Sequence, residues 1–74
     1  MSLKKMKLSE FAAERDQYRE DVASWWYIHG YFNARRGYYT GTSYIGPYKS
    51  YYDEGFRDAC GDLDRPALAK EIDG

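Results

Sequence analysis

Aromatic residues recur at helical spacing through the first half of the chain. Four of them are spaced by seven: Phe11, Tyr18, Trp25 and Phe32. Val22 and His29 fill the intervening turns of the same stripe, and no proline interrupts the stretch. Side chains at this spacing lie on one face of a helix. We therefore predict one long helix, residues 10–36 (Glu10 to Arg36), with Gly37 as the residue that follows its end.

The second half of the chain predicts a shorter helix after a glycine-rich loop. Residues 37–46 contain three glycines, two threonines and a serine, a composition that argues against regular helix. Pro47 suits the first position of the next helix, and Gly61 is its expected end. One face of this helix carries Tyr48, Tyr52, Gly55, Phe56, Ala59 and Leu63. A short third helix is predicted over residues 65–72.

These elements predict an all-α fold, a helical hairpin of one long and one shorter helix joined by an aromatic, glycine-rich loop. We expect residues 1–74 to form a single small domain, with residues 1–7 as a flexible basic tail. A chain of this length buries only about 60% of its unfolded surface. Its one cysteine cannot form an internal disulfide. We therefore expect self-association, as a homodimer, or burial against a larger partner.

Charge is distributed unevenly along the chain, although the formal net charge is only −1. Residues 22–52 contain no acid, and the charged residues there are Arg35, Arg36 and Lys49. Twelve of the fourteen aromatic residues lie between Trp25 and Phe56. Rings interleaved with cations can stack on bases while the cations meet phosphates. The same composition is typical of protein–protein hot spots.

The aromatic residues divide into a predicted core and a predicted surface. The inward stripes are expected to hold Trp25, Phe32, Tyr48, Tyr52 and Phe56. The remaining loop tyrosines, with one tyrosine of the second helix, join the three cations as a contact surface. The predicted binding residues are Arg35, Arg36, Tyr38, Tyr39, Tyr44, Lys49 and Tyr51.

No motif predicts catalysis, a cofactor or a metal site, and we expect the protein not to be an enzyme. His29 lies on the aromatic stripe, where packing and local hydrogen bonding are expected. Cys60 is flanked by Asp58 and Asp62, which disfavours a reactive thiolate, so a small buried residue is expected. No apolar run is long enough to span a membrane, and no signal peptide is visible. We expect a cytoplasmic protein.

The order of glycines and aromatic residues resembles the ribosome modulation factor family. The elements of that pattern read GYFNARRG over residues 30–37, then Pro47-Tyr48, then Gly55-Phe56-Arg57-Asp58-Ala59. The resemblance covers residues 30–59. It implies a two-helix fold with a connecting loop, contact with ribosomal RNA, and translation silencing by ribosome pairing.

Two functions follow as hypotheses. The first is a non-enzymatic binding module that contacts ribosomal or other structured RNA, or a protein partner, through the aromatic–basic loop. The alternative is a small effector of the kind found in phages and mobile elements, which binds and inhibits a host protein through its acidic faces. Glu10, Glu14 and Asp21 are the acids that this alternative uses.

Overall fold

The computed structural model describes residues 3–73, and within that part the chain forms four α-helices, one 3₁₀ turn and no strand. The helices are α1 (Leu8–Asp16), α2 (Val22–Arg36), α3 (Tyr48–Asp62) and α4 (Pro66–Asp73), and the 3₁₀ turn is Gly41–Ser43. Helix α2 packs against both α1 and α3, and α4 packs against α3. The predicted all-α fold class is confirmed.

The prediction of one long first helix, residues 10–36, is wrong. Residues 17–21 form turns between α1 and α2. Asp21 caps α2, because its carboxylate accepts hydrogen bonds from the backbone N–H of Ser24 at 3.3 Å and from the Ser24 hydroxyl at 2.8 Å. The turn folds α1 back, so that the ring of Phe11 lies 6.2 Å from that of Tyr31. In a straight helix, twenty residues would separate the two by about 30 Å.

The amino-terminal segment contacts the core at two residues. Residues 1 and 2 lie outside the described part, but Met6 is buried in the core. The Arg35 guanidinium donates hydrogen bonds to the carbonyl oxygens of Leu3 and Met6. Leu3 and Met6 therefore contact α2, whereas the flexibility of residues 1–7 stays a prediction.

Two glycines allow α2 and α3 to cross with their backbones in contact. A Cβ on Gly30 would lie 2.9 Å from the carbonyl carbon of Tyr52 and closer still to its oxygen. A Cβ on Gly55 would lie 2.8 Å from the carbonyl carbon of Tyr27. Gly30 faces Tyr52, which lies three residues before Gly55, and Gly55 faces Tyr27, which lies three residues before Gly30. The contact between the two helices is therefore reciprocal.

The core is built around this crossing. Tyr52 and Phe56 are fully buried, as predicted. Tyr48 is 45% exposed, so its prediction as a core residue is wrong. Trp25 and Phe32 are half-buried, so their prediction as core residues is only partly right. The positions that α2 turns toward its neighbours are instead occupied by Ile28, Gly30, Tyr31 and Ala34.

The ends of the later elements agree closely with the sequence prediction. Gly37 follows α2 in the left-handed conformation, with a φ of 91°. Pro47 is the N-cap of α3, which continues through Gly61 to Asp62, one residue beyond its predicted end. The short last helix exists as predicted, displaced by one residue at each end.

Candidate binding surface

The structure turns two of the predicted loop tyrosines into the fold. Tyr39 donates a hydrogen bond from its hydroxyl to Asp53, and its ring packs edge-on against Phe56 at 5.0 Å. Tyr44 packs against Tyr52, also at 5.0 Å. Both side chains are half-buried. Their main contribution is to fix the loop onto α2 and α3.

Two of the three predicted cations are also held within the chain. Lys49 forms an ion pair with Asp53 at 2.6 Å, and this hydrogen bond raises the pKa of the Lys49 amine. Arg35 lies with its guanidinium 5.0 Å from the ring centre of Phe11, in addition to its bonds to the amino-terminal segment. The Lys49 amine is thus paired with a carboxylate, and the Arg35 guanidinium is engaged by two carbonyl oxygens and a ring.

Arg36 and Tyr38 are the predicted binding residues that stay together at the surface. Both are exposed, and the Arg36 guanidinium carbon lies 4.7 Å from the ring centre of Tyr38 and 5.0 Å from that of Phe32. Tyr51 is exposed too, but it lines a groove with Tyr18 and is not part of this group. The seven predicted residues therefore do not form one surface.

A different aromatic–basic surface runs along α2, and we call it the α2 stripe. It comprises Val22, Trp25, His29, Phe32 and Arg36, together with the neighbouring residues Arg15, Arg19 and Tyr38. The five residues of the helix are spaced alternately by three and four, which places them on one face. His29, in the middle of that face, also contacts α3, because its ring centre lies 5.5 Å from that of Tyr52. Its rings on α2, Trp25, His29 and Phe32, are half-buried, and Tyr38 of the loop is its exposed ring.

Cations lie directly on the rings of the α2 stripe. The guanidinium carbon of Arg15 is 5.1 Å from the ring centre of Trp25, and Arg36 covers Phe32 and Tyr38 as described. Arg15 also contacts Asp16, the one acid among its close partners, at 3.3 Å. An open groove of about 350 Å³ lies at the amino end of the stripe, lined by Asp16, Arg19, Val22, Trp25 and Trp26.

Sequence reasoning missed the α2 stripe because it assigned Trp25 and Phe32 to the core by their aromatic character. A signal was available at the same spacing. Arg36 continues the series from Val22, Trp25, His29 and Phe32, and an arginine on a stripe marks a face that reaches water.

A buried hydrogen-bond network connects the α2 stripe to the loop. An Arg15 nitrogen lies 3.2 Å from Nδ1 of His29, and Nε2 of His29 lies 3.1 Å from the Tyr44 hydroxyl. Arginine can only donate, so Nδ1 accepts and Nε2 carries the proton. The network continues through Thr40 to the hydroxyl of Tyr52 at 3.0 Å.

Burial lowers the pKa of His29 to about 4, and the positive charges of Arg15 and Arg36 add to the shift. The ring stacks on Trp25 at 5.1 Å. His29 is therefore a neutral, packed and hydrogen-bonded residue, as the sequence led us to expect. Its role is to join α1, α2 and the loop.

The opposite side of α2 carries tyrosines paired with acids. Tyr27 and Tyr31 lie about 200° around the helix from Trp25 and His29, respectively. Tyr27 donates to Asp58 at 2.6 Å, and Tyr31 donates to Asp62 at 2.6 Å. Burial, followed by these hydrogen bonds, raises the pKa of both tyrosines.

Residues 3–73 contain no group of three or more histidines, cysteines and acids placed to hold a metal ion. Cys60 is buried, as expected, and burial raises the pKa of its thiol. No helix over the same residues has the length and apolar character needed to cross a membrane.

Comparison of the chain with protein-family models, curated proteins and solved structures finds no match. Function has to be inferred from the chain's own residues. The strongest features available are the α2 stripe and the tyrosine–acid side opposite to it.

Proposed function

We propose that this protein is a non-enzymatic binding module that contacts ribosomal or other structured RNA through the α2 stripe. The observation that carries the proposal is the placement of Arg15 and Arg36 over exposed or half-exposed rings of one helical face. Arginines on rings offer a cation for phosphate beside a flat surface for a base. The α2 stripe differs from the loop surface that the sequence predicted, but both surfaces include Arg36 and Tyr38.

The groove beside Trp25 supports the same function. Its volume of about 350 Å³ lies next to the indole face and to Arg19. Stacking of a base on an aromatic side chain is worth about 1–3 kcal/mol. An unpaired base of an RNA loop or bulge would enter this groove and contact Trp25 and Trp26, with Arg19 beside it to meet the phosphate.

The resemblance to the ribosome modulation factor family supports the proposal in a restricted way. Its glycines Gly30 and Gly55 lie at the α2–α3 crossing, and Gly37 ends α2. These residues are explained by the fold and do not themselves bind RNA. Contact with the ribosome, and silencing of translation in the cytoplasm, are therefore the functional extension of this proposal.

Salt dependence of binding tests the proposal. The protein is titrated into a labelled ribosomal RNA hairpin at several salt concentrations, and affinity is measured by fluorescence anisotropy. With about three arginines at phosphates, we expect the log of affinity to fall with a slope of roughly −2 to −3 against the log of salt. Arg36→Gln should weaken binding and reduce that slope by about 1.

Lys70→Gln is the matched control, because Lys70 is an exposed cation on α4, away from the α2 stripe. It removes the same charge and should leave the affinity nearly unchanged. Absence of RNA binding at low salt, or an equal loss in both variants, would contradict the proposal.

A further inference from the structure

A second groove lies on the side of α2 that faces away from the α2 stripe. Its volume is about 470 Å³, and the residues that matter for its chemistry are Leu3, Tyr18, Tyr27, Ile28, Tyr51 and Glu54. We call it the tyrosine groove. Tyr18 and Tyr51 are 36% and 39% exposed, so their rings are accessible from solvent.

Its charge is negative. Glu54 is the only charged residue that lines the tyrosine groove. The hydroxyl of Tyr27 donates to Asp58, and Ser24, which also lines the groove, donates to Asp21. Two further carboxylates are therefore hydrogen-bonded to residues that line the groove, and no lysine or arginine is among the lining residues.

Rings combined with carboxylates select a particular class of ligand. The face of a tyrosine ring attracts a cation within about 6 Å. A carboxylate beside the ring supplies the opposite charge, and the planar guanidinium of arginine can both stack on a ring and pair with a carboxylate. A ligand of negative charge, such as RNA, is disfavoured here by the same groups.

We propose that the tyrosine groove docks an arginine-bearing segment of a protein partner. The guanidinium is expected to stack between Tyr18 and Tyr51 and to pair with Glu54. The apolar walls formed by Leu3 and Ile28 then contact the aliphatic stem of the arginine. This site is independent of RNA binding, since it uses other residues on the other side of α2.

Nuclear magnetic resonance with a defined peptide tests the inference. The isotope-labelled full chain is titrated with a blocked glycine–arginine repeat peptide and, separately, with the same peptide carrying uncharged citrulline for arginine. We expect the arginine peptide to shift the amide signals of Ala23, Ser24 and Ile28 and the ring signals of Tyr18 and Tyr51. The citrulline peptide should cause no such shifts.

Glu54→Gln is expected to weaken binding of the arginine peptide by about 3- to 5-fold, since it removes one exposed ion pair. Glu71→Gln removes the same charge from an exposed position on α4 and is the matched control. Shifts located elsewhere, equal binding of the citrulline peptide, or equal losses in the two variants would each overturn the proposal. Arg36→Gln should not alter binding of the arginine peptide. A failure of the tyrosine-groove proposal can therefore be distinguished from a failure of the RNA-binding proposal.

Discussion

At the scale of single residues, the Tyr52 hydroxyl is the centre of the buried polar network. It accepts hydrogen bonds from the side-chain amide of Asn33 at 2.8 Å and from the backbone N–H of Thr40 at 3.1 Å. Asn33 is buried and Thr40 is half-buried, and an unmade hydrogen bond is costly where water is excluded. The network therefore fixes the loop to the helices through one oxygen atom.

Tyr52→Phe should lower the free energy of unfolding by about 1–3 kcal/mol, because the Thr40 N–H loses its acceptor and the Asn33 amide keeps only its bond to Thr40 Oγ1. Urea denaturation followed by circular dichroism measures the effect. Tyr51→Phe is the control, since Tyr51 is exposed and makes no comparable bond network. If both variants lose the same unfolding free energy, the stabilising role of the hydrogen bonds to the Tyr52 hydroxyl is contradicted.

His29 predicts a specific dependence of stability on pH. Its pKa in the folded chain is about 4, below the ordinary value of 6.5 that it has when unfolded. Between these two values the unfolded chain binds a proton that the folded chain does not. The stability associated with neutral His29 is therefore complete above about pH 6.5 and is lost as the pH falls toward about 4.

The test compares the original chain with His29→Gln by urea denaturation from pH 7 down to pH 5. Glutamine can accept from Arg15 and donate to Tyr44, but it does not titrate. We expect the original chain to lose stability more steeply than the variant over this interval. Parallel curves would contradict the assignment of a lowered pKa to His29.

At the scale of elements, the sequence predicts the end of α2 and the helices α3 and α4 well, and fails at the turn between α1 and α2. Pro47 and Gly37 mark the ends of helices by fixed backbone preferences, and these signals act locally. The turn over residues 17–21 contains neither proline nor glycine. Its cause is tertiary: Phe11 must reach the rings of Tyr31 and Phe32, and a straight helix prevents that contact.

A local signal for the turn does exist. Asp21 followed three residues later by Ser24 is a pair that caps a helix, and both hydrogen bonds are formed. The candidate site was harder to predict. The half-buried rings of Trp25 and Tyr44 have the same aromatic character, and only the three-dimensional arrangement places one on the α2 stripe and the other under the loop.

Alanine substitution of three glycines should change the stability of the fold in different directions. Gly30→Ala and Gly55→Ala should each destabilise the fold by about 1–3 kcal/mol or more, because the added methyl group meets backbone atoms of the facing helix. Gly61→Ala should stabilise it by about 0.5–1 kcal/mol, since it lies in α3 with open space around its Cα. Thermal or urea denaturation measures all three.

The crossing variants and Gly61→Ala share the same chemical change, so helix propensity is controlled within the series. If all three alanines stabilise the protein, the close approach of α2 and α3 is contradicted. If all three destabilise it, the open space at Gly61 is contradicted.

At the scale of the whole molecule, the two sides of α2 differ in charge. The α2 stripe carries Arg15, Arg19 and Arg36, whereas the opposite side carries Glu54, Asp58 and Asp62. A net charge of −1 conceals this separation. This separation of charge underlies the two binding sites proposed above.

A homodimer stays a prediction, and one exposed feature makes it testable. Ile45 is 91% exposed, and Tyr48, which stacks on Trp26 at 6.0 Å, is 45% exposed. If these side chains meet in a dimer, sedimentation equilibrium at micromolar concentration should give twice the chain mass of 8.7 kDa. Ile45→Asp should then return the single-chain mass. A single-chain mass for the original protein would contradict the prediction.

Mapping of RNA contacts on the labelled chain tests the central claim most directly. A structured ribosomal RNA hairpin is titrated at low salt, and amide, indole and ring signals are followed by nuclear magnetic resonance. The account predicts shifts at Trp25, Phe32, Arg36 and Tyr38 of the α2 stripe, with the signal of Glu54 unmoved. Absence of shifts, or shifts centred on Glu54, would contradict it.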